Sequence, residues 1–153
     1  MRALMLISLQ AICLLTFGQR VDYMRLRPSV MMLTCRVVDS NALDSSLQSL
    51  ILLDTNRITK NLYIYYEDLG QCYWLLSKGQ MGSIYLQKAI EMSLKALYHK
   101  PNATTALWNL SFAYSFNGQC DTSKYYMHKY KQFIKKKYWD EEQERELFAH
   151  CGN

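Results

Sequence analysis

Tyr66, Leu69, Gly70 and Tyr73 recur further on as Leu107, Leu110, Ser111 and Tyr114. In both sets the steps of three and four residues put the four side chains on one face of a helix. Between them lies a second amphipathic stretch, Lys88 to Tyr98, closed by Lys100-Pro101-Asn102. The order is therefore helix, helix, stop, helix, helix, which describes an array of helical hairpins. A small residue, Gly70 or Ser111, lets the paired helix approach closely, and the tyrosine one turn later fills the space between hairpins. One hairpin cannot bury both of its faces, so neighbours must stack, and stability comes from the interfaces between them.

This pattern resembles the tetratricopeptide repeat, a unit of about 34 residues with aromatic, Leu-Gly and Tyr landmarks on its first helix and Ala, aromatic and Pro landmarks on its second. In the later copy Leu107, Asn109, Leu110, Ala113, Tyr114 and Gly118 fall at the family's spacing, while Ser111 replaces its glycine and Ser123 and Tyr130 replace its small alanines. In the earlier copy Leu69, Gly70, Tyr73, Ala89, Ala96, Leu97 and Pro101 all fit. Leu69 and Leu110 are 41 residues apart, about 7 more than the family unit, and the excess lies in the turn from Ser77 to Ser83. The resemblance covers roughly residues 60 to 137. It implies an all-α fold, a short right-handed solenoid of antiparallel helix hairpins with a C-terminal capping helix, and a protein or peptide as ligand.

Residues 1–18 read as a signal peptide: Arg2, an apolar run from Ala3 to Phe17, and Gly18 at the exit. At about 1.5 Å per residue the run spans roughly 22 Å, short of the ~30 Å hydrocarbon core, so the membrane is met only transiently and the chain is expected to be exported, periplasmic or secreted. Twelve Tyr and three Trp against two Pro then give a folded, helical composition. Residues 19–56 are expected to form a degenerate hairpin. Val30 to Val38 suits helix or strand and is assigned to helix by its company, and Leu43, Leu47, Leu50 and Ile51 share a helical face. A hairpin with a long turn occupies 57–102, its first helix starting near Arg57; a second hairpin occupies 103–137, and a capping helix 138–153.

Function is expected in a groove lined by the outward residues of the first helices: Glu67, Asp68, Gln71, Trp74 and Leu75, then Thr105, Trp108, Asn109, Phe112 and Phe116. Aromatic walls with a few polar groups suit a peptide or a partner helix. The alternative is that Trp108 and Phe112 pack beneath the amino-terminal hairpin. The family's carboxylate-clamp subclass uses Lys and Asn where this chain has Glu67 and Gln71, which disfavours capture of a charged carboxyl terminus.

Other candidates are weaker. The run Lys124, Lys129, Lys131, Lys135, Lys136 and Lys137, interleaved with tyrosines, has the composition of a nucleic-acid surface, but Asp140 to Glu146 supplies carboxylates next door, so no nucleic acid is expected. The formal charge of +5 is mild. His99, His128 and His150 stand apart and share no metal-ligand spacing with a cysteine. With no phosphate loop, nucleophile elbow or zinc-binding helix motif in the chain, neither a metal, a cofactor nor an enzymatic activity is expected. Asn102-Ala103-Thr104 and Asn109-Leu110-Ser111 match the glycosylation sequon, which matters only in a eukaryotic secretory pathway, and Asn109 is expected on a packed helix, a poor acceptor. The expected function is protein or peptide binding without catalysis; a structural subunit docked permanently in a larger envelope assembly is the alternative.

Once the leader is removed, Cys35, Cys72, Cys120 and Cys151 remain, which allow three pairings. Cys120 opens one helix and Cys151 closes the helix that returns antiparallel to it, so those two are expected to bond. Cys35 with Cys72 is the second candidate pair. Cys72 also stands where Ala113 stands in the later copy, a place for a small buried thiol.

Overall fold

The computed structural model describes residues 20–25, 27, 47–77, 83–136, 141–149 and 151, and these are mostly helical. They fall into two compact units, divided between Tyr65 and Tyr66.

In the first unit Val21–Asp22 (β1) pairs in parallel with Ile58–Lys60 (β2), Val21 opposite Ile58 and Asp22 opposite Lys60. Residues 58–60 were expected to lie in the long helix and do not. Two causes act locally. Ile58 and Thr59 are β-branched and favour extended backbone, and Asn61 sits at φ 60°, a left-handed conformation that Asn tolerates and a helix interior excludes. The Asn61 amide also donates to Asp22 Oδ1 at 2.9 Å, and that oxygen accepts from Met24 N–H at 3.0 Å. These two bonds hold the Asp22 carboxyl below its ordinary range. Tyr23, Leu47, Leu50, Leu53, Ile58 and Tyr65 form the unit's core. Tyr23 meets Tyr65 edge to face at 5.5 Å, and the Tyr65 hydroxyl donates to Leu50 O at 3.1 Å. Asp54 caps a 3-10 turn, Thr55–Arg57, by accepting from Asn56 N–H. The expected segment 28–46, including Cys35, lies outside the described residues, as does the leader.

The helices that follow are Leu62–Ser77 (α1), Ile84–His99 (α2), Thr104–Phe116 (α3), Cys120–Phe133 (α4) and Glu141–Ala149 (α5). Ser83 starts α2 by accepting from Leu86 N–H. Gly118, at φ +74°, turns the chain after α3, a conformation that costs glycine nothing. α4 ends at Phe133, a few residues before the expected Lys137, because the backbone becomes extended at Ile134.

Contacts within the second unit fix the helix directions. Along α1 from Tyr66 through Gly70 to Tyr73, the partners on α2 run backwards from His99 through Ser93 to Tyr85. α1 and α2 are therefore antiparallel. Trp108 meets Tyr130 and Tyr114 stacks on Tyr126, so α3 and α4 are antiparallel as well. Glu67 meets Ala106 and Trp74 meets Phe112, which makes α1 and α3 parallel neighbours. The core between them contains Leu69, Tyr73, Leu86, Ala89, Ala96, Ala106, Leu107, Leu110, Ala113 and Met127.

The last helix is held by three kinds of contact. Cys120 and Cys151 are joined in a disulfide with Cα atoms 5.4 Å apart, as their antiparallel placement predicts. Ser115 Oγ donates to Leu147 O at 2.6 Å, beside a Leu147 side chain that is buried. Lys131 pairs with Glu144, both partly shielded from water. Among the described residues no helix is long and apolar enough to cross a membrane.

Candidate functional site

Five rings form one connected line across three helices. Phe116 and Phe112 both meet the Trp74 ring edge to face, at 5.0 and 5.8 Å. Phe112 continues to Trp108 at 4.6 Å, and Trp108 to Tyr130 at 4.9 Å. The line follows from helix periodicity: positions 108, 112 and 116 lie four apart on α3, while Trp74 comes from the parallel α1 and Tyr130 from the antiparallel α4. All five are half-buried, so each is packed on its neighbours and keeps part of its surface in water. Such ring pairs contribute about 0.5 to 1.5 kcal/mol each beyond the area they bury, enough to hold the line in place before anything binds.

The expected groove residues divide between this line and the interior. Trp74, Trp108, Phe112 and Phe116 are brought together in it. Gln71 is exposed, and Leu75 and Thr105 are half-buried. Glu67, Asp68 and Asn109 were expected to face outward, and they are buried, at 7 %, 2 % and 4 % exposure. For Glu67 the reason is visible. α3 starts behind Ala103, which has no side chain able to cap it, and Glu67 Oε1 reaches across from α1 to accept from Ala106 N–H at 3.1 Å. A carboxylate at a helix amino end is also favoured by the helix dipole. Burial pushes the Glu67 carboxyl above its ordinary range and Asp68 adds to this, while the Ala106 N–H and Lys100 pull the other way. Asn109, one turn beyond Ala106, has no hydrogen-bond partner for its amide nitrogen among the described residues.

Tyr130 was missed as a site residue because the expected repeat pattern calls for a small alanine there. The signal that finds it is the antiparallel return of α4, which puts Tyr130 opposite Trp108. Burial raises the Tyr130 hydroxyl above the ordinary tyrosine range, so it stays a neutral donor at any physiological pH.

Two lysines of the basic run have identified neighbours. Lys131 pairs with Glu144, and Lys129 lies over the Tyr125 ring at 4.6 Å. His99 stacks on Tyr66, and His128 shares a hydrogen bond with Gln132. No group of three potential metal ligands comes together among the described residues. What the line of rings can do is accept apolar side chains by stacking and burial.

No protein-family model matches the chain, and neither the curated proteins nor the solved structures contain a match to it.

Proposed function

We propose that the chain is an exported, tetratricopeptide-like module whose hairpins stack as a short right-handed solenoid and whose line of rings, Trp74, Phe112, Phe116, Trp108 and Tyr130, binds a protein or peptide segment without catalysis. The observation that carries this reading is the pre-arranged, half-open line itself: three elements converge to present aromatic faces, and aromatic anchors in a fixed frame are what dominate peptide and protein interfaces. The parallel placement of α1 and α3, each with its own antiparallel partner, supports the repeat. Export is supported by the Cys120–Cys151 disulfide and by the apolar run behind Arg2.

Selection of a displayed library of linear peptides on the oxidised protein tests it. Peptides with aromatic or aliphatic anchors should be enriched, and Trp108→Ala should weaken the selected peptide by roughly 2 kcal/mol, about 30-fold, in a protein that is somewhat less stable but still folded under the assay conditions. Tyr98→Ala, at a residue 85 % exposed on α2, should leave binding alone. Unfolding of the Trp108 variant without a separable loss of binding would assign the rings to the core.

A second reading, a subunit docked permanently in a larger assembly, is supported by the apolar side chains that α2 and α4 leave in water: Ile84 at 63 % exposure, Tyr98, Tyr125 and Phe133. A monodisperse monomer on purification favours the first reading, and obligate co-purification with one fixed partner favours this one.

A further inference from the structure

The two sequons, Asn102-Ala103-Thr104 and Asn109-Leu110-Ser111, are equivalent as sequence and lie only seven residues apart. The fold separates them. Asn102 is exposed at the tip of the turn between α2 and α3, where Ala103 N–H bonds back to Lys100 O at 3.0 Å and Pro101 precedes it in the bend. Thr104, the sequon's hydroxyl residue, is the first residue of α3 and half-buried. Asn109 is 4 % exposed within α3, and Ser111 is fully buried, its hydroxyl donating to Trp108 O and its carbonyl accepting from Ser123. An oligosaccharide is bulky and hydrophilic, so a folded unit can carry one on the turn and has no room for one between packed helices.

We infer that Asn102 is an N-glycosylation site when the chain passes through a eukaryotic secretory pathway, and that Asn109 in the folded protein is not; this rests on the export part of the reading above. The donor is an oligosaccharide held on a polyprenyl diphosphate. A bond forms between Asn102 Nδ2 and the anomeric carbon, the anomeric C–O bond to the diphosphate breaks, the amide gives up one proton, and polyprenyl diphosphate leaves. No electrons are exchanged. The turn stands at the amino-terminal end of α3, and Trp108, Phe112 and Phe116 lie about 6, 12 and 18 Å along the helix axis from its first residue, Thr104, so a glycan there sits at one end of the line of rings.

The full chain, with its own leader, is translated in the presence of endoplasmic-reticulum microsomes and treated with protease and with an endoglycosidase. The expected product is protected from protease and shifted by one glycan; the shift is removed by the endoglycosidase, by Asn102→Gln and by Thr104→Ala, and is retained in Thr104→Ser and Asn109→Gln. A protected chain without a shift, or a shift that survives Asn102→Gln, overturns the inference while export stands. A chain left open to protease overturns the export reading and this inference with it.

Discussion

The two hairpins of the second unit solve the same packing problem with different chemistry. In α1 and α2 the close approach is made by the absence of a side chain: a Cβ on Gly70 would stand 2.7 Å from Ser93 Oγ and 3.4 Å from Ala89 O. Ala89, Ser93 and Ala96, all without exposed surface, form the facing row. In α3 and α4 the equivalent of Gly70 is Ser111, and the approach is made by a bond, Ser123 Oγ to Ser111 O at 2.6 Å. The first solution leaves a polar group stranded, because Ser93 Oγ is buried with no partner among the described residues. The second satisfies its buried hydroxyl, and its hairpin is also stapled to α5. The lesson is that a close distance between paired helices can be met by several residue types at different cost.

Removing the staple should give the largest effect. Replacing Cys120 and Cys151 with Ser opens a loop of sequence separation 31, which should lower the unit's stability by about 3 to 4 kcal/mol in the chain-entropy model. Denaturant unfolding of oxidised and variant protein measures it. Amide exchange should show α5 losing protection first, since the disulfide that anchors its end is gone while α2 keeps all of its contacts; equal loss in α2 would show that the two hairpins do not differ in this way.

The approach itself is tested by exchanging side chains. Gly70→Val puts branched atoms where a single carbon already clashes, with cost at the upper end of overpacking, about 3 kcal/mol. The reverse change in the other hairpin, Ser111→Gly, should cost only about 1 kcal/mol, through backbone entropy. The two facing serines then separate in sign. Ser123→Ala removes a made bond and should destabilise by about 1 kcal/mol, while Ser93→Ala removes a stranded hydroxyl and should be neutral or stabilising. If both serine variants lose stability alike in urea titrations, the contrast between the hairpins is wrong.

Those features were legible in the sequence to different depths. α3 was bounded by Pro101-Asn102 before it and Asn117-Gly118 after it, and its observed limits are those punctuation marks. The disulfide followed from one antiparallel return. β2 was not legible, because three residues carry no period and the strand that stabilises it lies far away, at Val21. The burial of Glu67 was not legible either. A carboxylate on an amphipathic helix is read as facing water, and what buries this one is a missing cap at Ala103, on another helix. Tyr130 shows the same limit from the other side: its type departed from the repeat, and only the register of α4 against α3 gave it a role. In each case the deciding partner was distant in sequence, where local periodicity has nothing to say.

Glu67 gives the smallest effect and the one that depends on pH. Its carboxyl is raised in the folded protein, first by burial. Between the ordinary carboxyl value of 4.5 and that raised value the folded state holds a proton that the unfolded state has lost. The contribution to stability is thus fully present below 4.5 and is lost as pH rises through the folded pKa. At neutral pH the charge is a net cost of burial, offset in part by the α3 amino end and Lys100. Glu67→Gln keeps an acceptor for Ala106 N–H and removes the charge, so it should match or exceed the parent at neutral pH and flatten the decline above pH 4.5. Glu67→Ala removes the cap and should cost about 1 kcal/mol across that range. Urea midpoints at intervals of pH for the three proteins decide the matter, because a decline as steep in the Gln variant as in the parent would place the titrating group elsewhere and leave Glu67 a cap alone.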